Sequence, residues 1–397
     1  MKKQLFAALI AIVFIGSNAL AYYGPNDKNK KPTGKPKANC SPATAKYIME
    51  FNDVRALIEQ GGSMFQNRQN GVAAYEVPKG SNRFAIFAGA LWMGGTDVNG
   101  QLKLAALRYR AGNDFWPGPL SVTPGTGNYN PLFPVGDGAI RDFGEANIDP
   151  DQCIAYDQFY TIRKAEVIRF NIWWECQAGI TTECDDVQAP SNEELNRIYN
   201  WPAHGDVSKG QDYFLAPYYD RDQDGNYNPD NGDHPWYDDI LGRDDIQCGF
   251  DRRISLFGDE THWWVFNDKG NIHTETNGDP IGMEIRAQAF SFATNDEVNK
   301  MTFYNYELIN RGTQTLYDTY FAQYLDADVG NYADDYAGCD VSRGLGYMYN
   351  GDLNDENDGG KLGIIRQRSV VTSSKVHIKM RMESITQVPI LITQPNH

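Results

Sequence analysis

The stretch YYDRDQDGNYNPDNGD, residues 218 to 233, sets the tightest condition on how this chain can fold. Asp220, Asp222, Asp224, Asp230 and Asp233 crowd one short segment, and carboxylates held that close repel unless a cation sits among them. With Asp220 as position 1, Asp222 is 3, Asp224 is 5, Gly225 is 6 and Asn226 is 7, the first half of a D-x-D-x-D-G calcium loop. Alternate residues of such a loop aim at one ion, and Gly at the sixth place permits the sharp turn. The second half departs from that pattern. Position 12 is Asn231 rather than a bidentate Glu, so Asp230 or Asp233 has to close the shell. The expected ion is Ca2+, because Mg2+ rarely accepts so protein-rich a cage. The competing reading is a solvated Asp/Asn/Gly turn with no metal.

Two further acidic segments have looser spacing. DADVGNYADDYAGCD carries Asp326, Asp328, Asp334 and Asp335, and NGDLNDENDGG carries Asp352, Asp355 and Asp358. Both are second-rank metal candidates.

The chain opens MKKQLFAALIAIVFIGSNALA, with Lys2 and Lys3 before an apolar run and Ala19 and Ala21 at the −3 and −1 places of a cleavage site. This reads as a secretory signal peptide over residues 1–21, too short for a membrane span. No later stretch has the length of a spanning helix. Residues 22–44 read as a flexible, Lys- and Pro-rich linker. The six cysteines all follow the cut, and an even count in an exported chain points to disulfides. Cys176 and Cys184, closing the short loop CQAGITTEC, are the expected pair. The spacings match no zinc site.

Net charge is −16, and about −18 once Lys2 and Lys3 leave with the leader. Such acidity disfavours nucleic acid or an anionic membrane as partner and favours cations. With 38 glycines, 19 prolines and 13% aromatics, the composition fits a turn-rich β protein. A helix is expected over DVRALIEQGG, capped by Asn52, a longer one from Tyr156 to Trp174, and a third over SNEELNRIYN with Ser191 and Glu194 as its capping box. FAIFAGALWMGG reads as a buried strand with QLKLAALRYR as its hairpin partner. The two prolines of NDFWPGPLS exclude it from a central strand. Beyond residue 250, HWWVFND, MEIRAQAFSFA and MTFYNYELINRG read as strands, and the segment ending YDTYFAQYLDADV as the next hairpin. The expected fold is mainly β over residues 45–363, antiparallel and sandwich-like, with a few helices packed on one side. A change of pattern near 245 marks a candidate subdomain boundary.

YEVPKGSNRFAIFAGALWMGG, FWPGPLS, NWPAHGD, LAPYYDRDQDGNYNPDNGDHP, HWWVFND and GDLNDENDGGKLG together resemble the N-terminal region of large secreted proteins of Bacteroidota. Those proteins typically end in a C-terminal sorting domain read by the type IX secretion system. The resemblance covers most of residues 45–363. It implies export, a cell-surface or extracellular location, contact with the secretion machinery, and the calcium loop at Asp220, Asp222 and Asp224. It implies no catalytic residues.

Residues 364–397 break that pattern: they hold no Gly, aromatic or Asp, and five Lys/Arg against one Glu. Codons for Val371 to Gln387 exist whose shifted frame reads DFFKGPYQNEDGIDNP, and Ile365 to Val370 can give NPPAVG. A frameshift near Gly363 is therefore the expected origin of this tail, with downstream modules lost. If the chain truly stops at His397, a periplasmic protein is expected instead.

Signatures of hydrolases, metalloproteases and nucleotide-binding folds are absent from the sequence. His262 reads as a packed strand residue, and His204 and His234 as satisfied loop histidines. The expected function is a non-enzymatic, calcium-stabilised structural or adhesive module. The alternative is a glycan-binding or glycan-hydrolysing protein using Trp116, Trp201, Trp236, Trp263 or Trp264 to stack on sugars.

Overall fold

A computed structural model describes residues 38–109, 112–122, 146–238, 255–329 and 331–351, with the backbone of three later strands, Ser369–Ser373, Lys375–Lys379 and Glu383–Val388. The signal peptide, most of the linker, the candidate boundary near 245, Cys248, Asp352, Asp355 and Asp358 lie outside the described residues. The described residues form mainly antiparallel β-sheet with few helices. No helix among them is long and apolar enough to cross a membrane.

An eight-stranded sheet runs Tyr317–Asp326, Ala88–Thr96, Ser63–Met64, Arg55–Glu59, Tyr75–Glu76, Phe84–Ile86, with Lys46–Met49 and Leu102–Ala105 paired off this path. A seven-stranded sheet runs Trp116–Pro117, Glu260–Asn267, Met283–Ser291, Phe303–Asn310, Glu383–Val388, Lys375–Lys379, with Tyr160–Arg163 also on Glu260–Asn267. One core draws on both: Ala56, Ile58, Tyr75 and Leu91 from the first meet Trp264, Phe266, Ile285 and Tyr306 from the second. The seven-stranded sheet is buried on its other face as well. Trp263 and Val265 alternate with Trp264 and Phe266, and pack with Ile162, Val167, Phe170 and Ile198 of the helical layer. Every residue of Glu260–Asn267 is therefore buried.

The polar set of MEIRAQAF lies on that second face and is equally enclosed. Arg286 and Arg311 bond to Glu284 and Asp212, with contacts of 2.8 to 3.2 Å. Burial alone would raise both acids, but the two guanidinium groups hold Glu284 and Asp212 below the usual carboxylate range. Among the described residues, two cations and two anions thus meet in one ion cluster inside the fold.

Several expectations need correction. DVRALIEQGG is the strand Arg55–Glu59, not a helix, because it pairs with Lys46–Met49, Ser63–Met64 and Tyr75–Glu76. Asn52 still bonds locally, accepting from the Val54 N–H, but its amide donates to the Met301 carbonyl. The helix expected from Tyr156 to Trp174 is instead the strand Tyr160–Arg163 followed by the helix Lys164–Gln177, and a separate short helix, Pro150–Ala155, ends before it. Pairing of Tyr160–Arg163 with Glu260–Asn267 overrides the helical spacing of its aromatic residues. Tyr317–Asp326 makes no hairpin with Phe303–Asn310; it crosses to pair with Ala88–Thr96 in the other sheet. The helix Asn192–Tyr199 has the expected cap, Ser191 and Glu194 bonding reciprocally. Leu102–Ala105 pairs with Ala88–Thr96 as expected, and Trp116–Pro117 is a two-residue edge strand. Cys176 and Cys184 are joined. A second disulfide, Cys40–Cys153, links residues 113 apart, and Cys339 is free.

Candidate metal centre

The acidic segment is carried on a small hairpin. Tyr218 and Tyr219 pair with Pro235 and His234, so residues 220–233 form the loop between two short strands. Gln223 (φ 61°) and Gly225 (φ 83°) adopt left-handed backbone conformations, and Gly serves this at no steric cost. The turns fold the chain back on its own carboxylates. Asp220 Oδ2 accepts from the Gly225 N–H at 2.8 Å, Asp222 Oδ1 from the Asp224 N–H at 3.3 Å and Asp224 Oδ1 from the Asn226 N–H at 2.7 Å. One oxygen from each of Asp220, Asp222 and Asp224 lies within 4.8 Å of the others. This is the only such grouping of metal-type ligands among the described residues.

The cation nearest in sequence, Arg221, does not neutralise them. Its guanidinium lies 4.7 Å over the Trp174 ring and bonds to Glu175 and Asn171 on the helix Lys164–Gln177. None of the ion pairs among the described residues involves Asp220, Asp222 or Asp224. Oδ1 of Asp220 is buried and has no hydrogen-bond partner. Burial pushes the Asp220 carboxyl up; the Gly225 and Gln223 N–H groups oppose this, and the neighbouring Asp222 charge adds to it. Three carboxylates thus share a small space with no compensating positive group in contact among the described residues, and one oxygen is buried without a hydrogen bond.

The remaining residues of the segment do different work. Asp233 is fully buried, and its two oxygens accept from the Arg221 and Asn228 N–H groups at 2.8 Å each, tying the two ends of the loop. Its carboxyl is pushed up to about 6, first by burial and further by the charges of Asp220 and Asp222. Asp230 turns outward and accepts from the Tyr199 hydroxyl at 2.5 Å. The Asn226 side chain accepts from the Tyr213 hydroxyl at 2.5 Å. Asn231 donates to Asp222 Oδ2 at 2.7 Å. The structure therefore brings Asp220, Asp222 and Asp224 together, and sets Asn226, Asp230 and Asp233 around them as braces.

The braces reach back to the helical layer. His204 accepts from the Tyr227 N–H at Nε2 (2.8 Å), so Nδ1 carries the proton and donates to the Tyr213 carbonyl at 3.0 Å. The Tyr227 hydroxyl donates to the Ile198 carbonyl and the Tyr218 hydroxyl to the Gly225 carbonyl. Sequence reading assigns His204 to a satisfied loop site; its part in fixing this loop depends on contacts across 23 residues, for which no local pattern exists. His262 is fully buried between Thr161 and Glu260, and burial lowers its pKa.

The second acidic segment is built differently. Asp328 is pushed up to about 6 by burial and by Asp326. Asp335 accepts from the Val329 N–H at 2.8 Å. Asp326, Asp328, Asp334 and Asp335 do not converge as a ligand group. Of the tryptophans considered for sugar stacking, Trp116, Trp201, Trp263 and Trp264 are buried and Trp236 is half-buried.

Three oxygens from carboxylates, no thiolate and a histidine already committed to the backbone suit a hard cation that tolerates irregular coordination, which is Ca2+ rather than Zn2+. Together the fold and this loop define the chain as a mainly antiparallel β protein with an acidic, oxygen-only candidate cation site. No family model, no curated protein and no solved structure matches it.

Proposed function

We propose that this protein is an exported, non-enzymatic module of the cell surface or extracellular space, a two-sheet β-sandwich whose acidic loop is held by calcium. The carrying observation is the convergence of Asp220, Asp222 and Asp224 around a buried, unbonded carboxylate oxygen, while Arg221 is drawn away onto Trp174. Two sheets contributing to one core support the sandwich. Two disulfides support passage through an oxidising compartment. The resemblance to cargo of the type IX secretion system supports a surface location, with that machinery as partner and a frameshift near Gly363 as the origin of the tail. In this reading the ion fixes a loop that would otherwise repel itself, and the sheets serve a structural or adhesive role. The test is terbium luminescence: Tyr213, Tyr218 and Tyr227 sit against the loop and would sensitise an ion bound there. Sensitised emission that calcium displaces, and that Asp222→Asn abolishes, is expected. Emission identical in the wild type and Asp222→Asn would refute it.

The glycan reading loses its tryptophan platform, since four of the five candidate rings are enclosed. It survives only where other aromatic faces are open.

A further inference from the structure

Such faces exist on a separate small sheet. Leu345–Asn350 pairs with Asp335–Asp340 on one side and Ser369–Ser373 on the other. Met348 packs against the main core, so strand alternation sends Tyr347 and Tyr349 to the opposite side. Tyr349 lies directly across from Tyr336, and Tyr347 from Gly338. Two of the rings lie close over glycine. A Cβ at Gly338 would meet Tyr347 Cζ at 2.4 Å, and one at Gly351 would meet Tyr336 Cε2 at 2.4 Å. Neighbouring rings are close to parallel: Tyr336 and Tyr349 are 5.9 Å apart at 23°, and Tyr347 and Tyr349 6.2 Å apart at 26°. Tyr336 and Tyr347 thus lie against glycine, and Tyr336, Tyr347 and Tyr349 are 59%, 38% and 39% exposed.

Apolar faces left open in a row mark a binding surface. Rings laid flat offer planes, not a pocket for an inserted side chain. The ligand that fits planes is one with flat, C–H-bearing faces and a polar rim, because the negative face of an aromatic ring attracts C–H groups. A pyranose has that shape, and the ring spacing is comparable with the length of one sugar unit. The rim is polar on the protein too. Asp340, on the tyrosine side by alternation, accepts from the Ser342 hydroxyl and pairs with Arg343, which is largely exposed. A net charge of −16 disfavours an anionic polymer. We propose that Tyr336, Tyr347 and Tyr349 form a stacking platform for a neutral polysaccharide with equatorial β-1,4 linkages, whose units keep their flat faces in line. This gives the glycan reading a site, and it depends on extracellular placement but not on the calcium loop.

The probes are cellohexaose and xylohexaose, titrated calorimetrically into the full chain in excess calcium. At least one should bind. Tyr336→Ala and Tyr349→Ala should each weaken binding roughly three- to tenfold. Tyr320→Ala, which removes a more exposed ring on another sheet, should leave it unchanged. Because a substitution here could disturb the hairpin, a second readout uses the unaltered protein: nitration of Tyr336 and Tyr349 by tetranitromethane, followed by mass spectrometry, should fall when the hexasaccharide is present. No binding of either sugar, or equal nitration with and without it, overturns the proposal. A chain that binds sugar but ignores calcium would leave the platform standing and sink only the metal reading.

Discussion

Removing calcium should lower the melting temperature at pH 7.5, and the loop sets both the size of the loss and its pH dependence. Three converged carboxylates and a braced backbone suit a dissociation constant of about 10 µM, between sensor and extracellular sites. At a free calcium near 1 mM, about 100 times that constant, binding to the folded state adds about 2.7 kcal/mol. A domain of about 310 residues, with an unfolding entropy of about 2.1 cal/mol/K per residue, should then lose roughly 4 °C on chelation. The pH course follows from the raised carboxyls. Asp233 is pushed up to about 6, and Asp220 is raised, in both cases first by burial. A folded pKa above the unfolded value means that the native state holds more protons in between. Without calcium, the contribution of these groups is therefore present below the unfolded value near 3.9 and is lost as pH rises to about 6. Calcium requires the ionised carboxylates, so its benefit grows over the same interval. The gap between melts in calcium and in chelator should be small at pH 4.5 and complete by pH 7. Asp222→Asn should shrink it at pH 7.5. Identical melts in calcium and chelator at pH 7.5, or a chelated protein that gains stability as pH rises through 6, would refute the reasoning.

The long disulfide should matter more than the short one. On loop-closure entropy, opening Cys40–Cys153 with its separation of 113 costs about 4.8 kcal/mol, against about 2.5 for Cys176–Cys184 with its separation of 8, readable as urea midpoints of the paired Cys→Ala variants. Arg311→Met leaves Glu284 and Asp212 with one guanidinium between them and should cost about 3 to 5 kcal/mol by urea denaturation; a loss below 1 would show that the cluster is not enclosed. Trp264→Ala, at a residue with no exposed surface between the two sheets, should cost about 3 to 5 kcal/mol. His204→Ala should weaken terbium binding without touching a ligand, since it frees the Tyr227 N–H and with it one side of the loop; unchanged affinity would remove His204 from the braces.

What could be read from residues alone was whatever short-range pattern decides. The capping box at Ser191 and Glu194, the hairpin from Ala88–Thr96 to Leu102–Ala105 and the Cys176–Cys184 pair each depend on residues close in sequence, and the structure has them. The convergence of Asp220, Asp222 and Asp224 belongs to the same class, because a D-x-D-x-D-G spacing fixes its own geometry. The misreadings sit where distant pairing decides. Arg55–Glu59 and Tyr160–Arg163 carry spacings that a helix would also accept, and they become strands because sheets formed elsewhere offer them edges. Tyr317–Asp326 pairs with Ala88–Thr96, and Tyr317 bonds to Thr96 across a separation of 221 residues, a choice no local turn announces.

The polar half of MEIRAQAF makes the physical reason plain. Alternation along a strand says that Glu284, Arg286 and Gln288 share a face, and the usual inference would put that face in water. Here loop residues cover it, with Leu120, Asp212, Leu215 and Ser255 bonding to that face. Arg311, just after the neighbouring strand, and Asp212, 74 residues from Arg286, supply the charges that make the enclosure tolerable. Period-two patterning reports which residues share a face, not whether a second layer lies above it. That information resides in the partners, and an enclosed ion cluster looks in sequence like an exposed stripe. The acidic loop is the converse case. Its carboxylates have no protein cation in contact, and Arg221, the one placed beside them by the chain, is held elsewhere. The charge at Glu284 is balanced within the protein, the charge at Asp220 has no such partner among the described residues, and that asymmetry between two acidic sites of one fold is the strongest argument for the proposed ion.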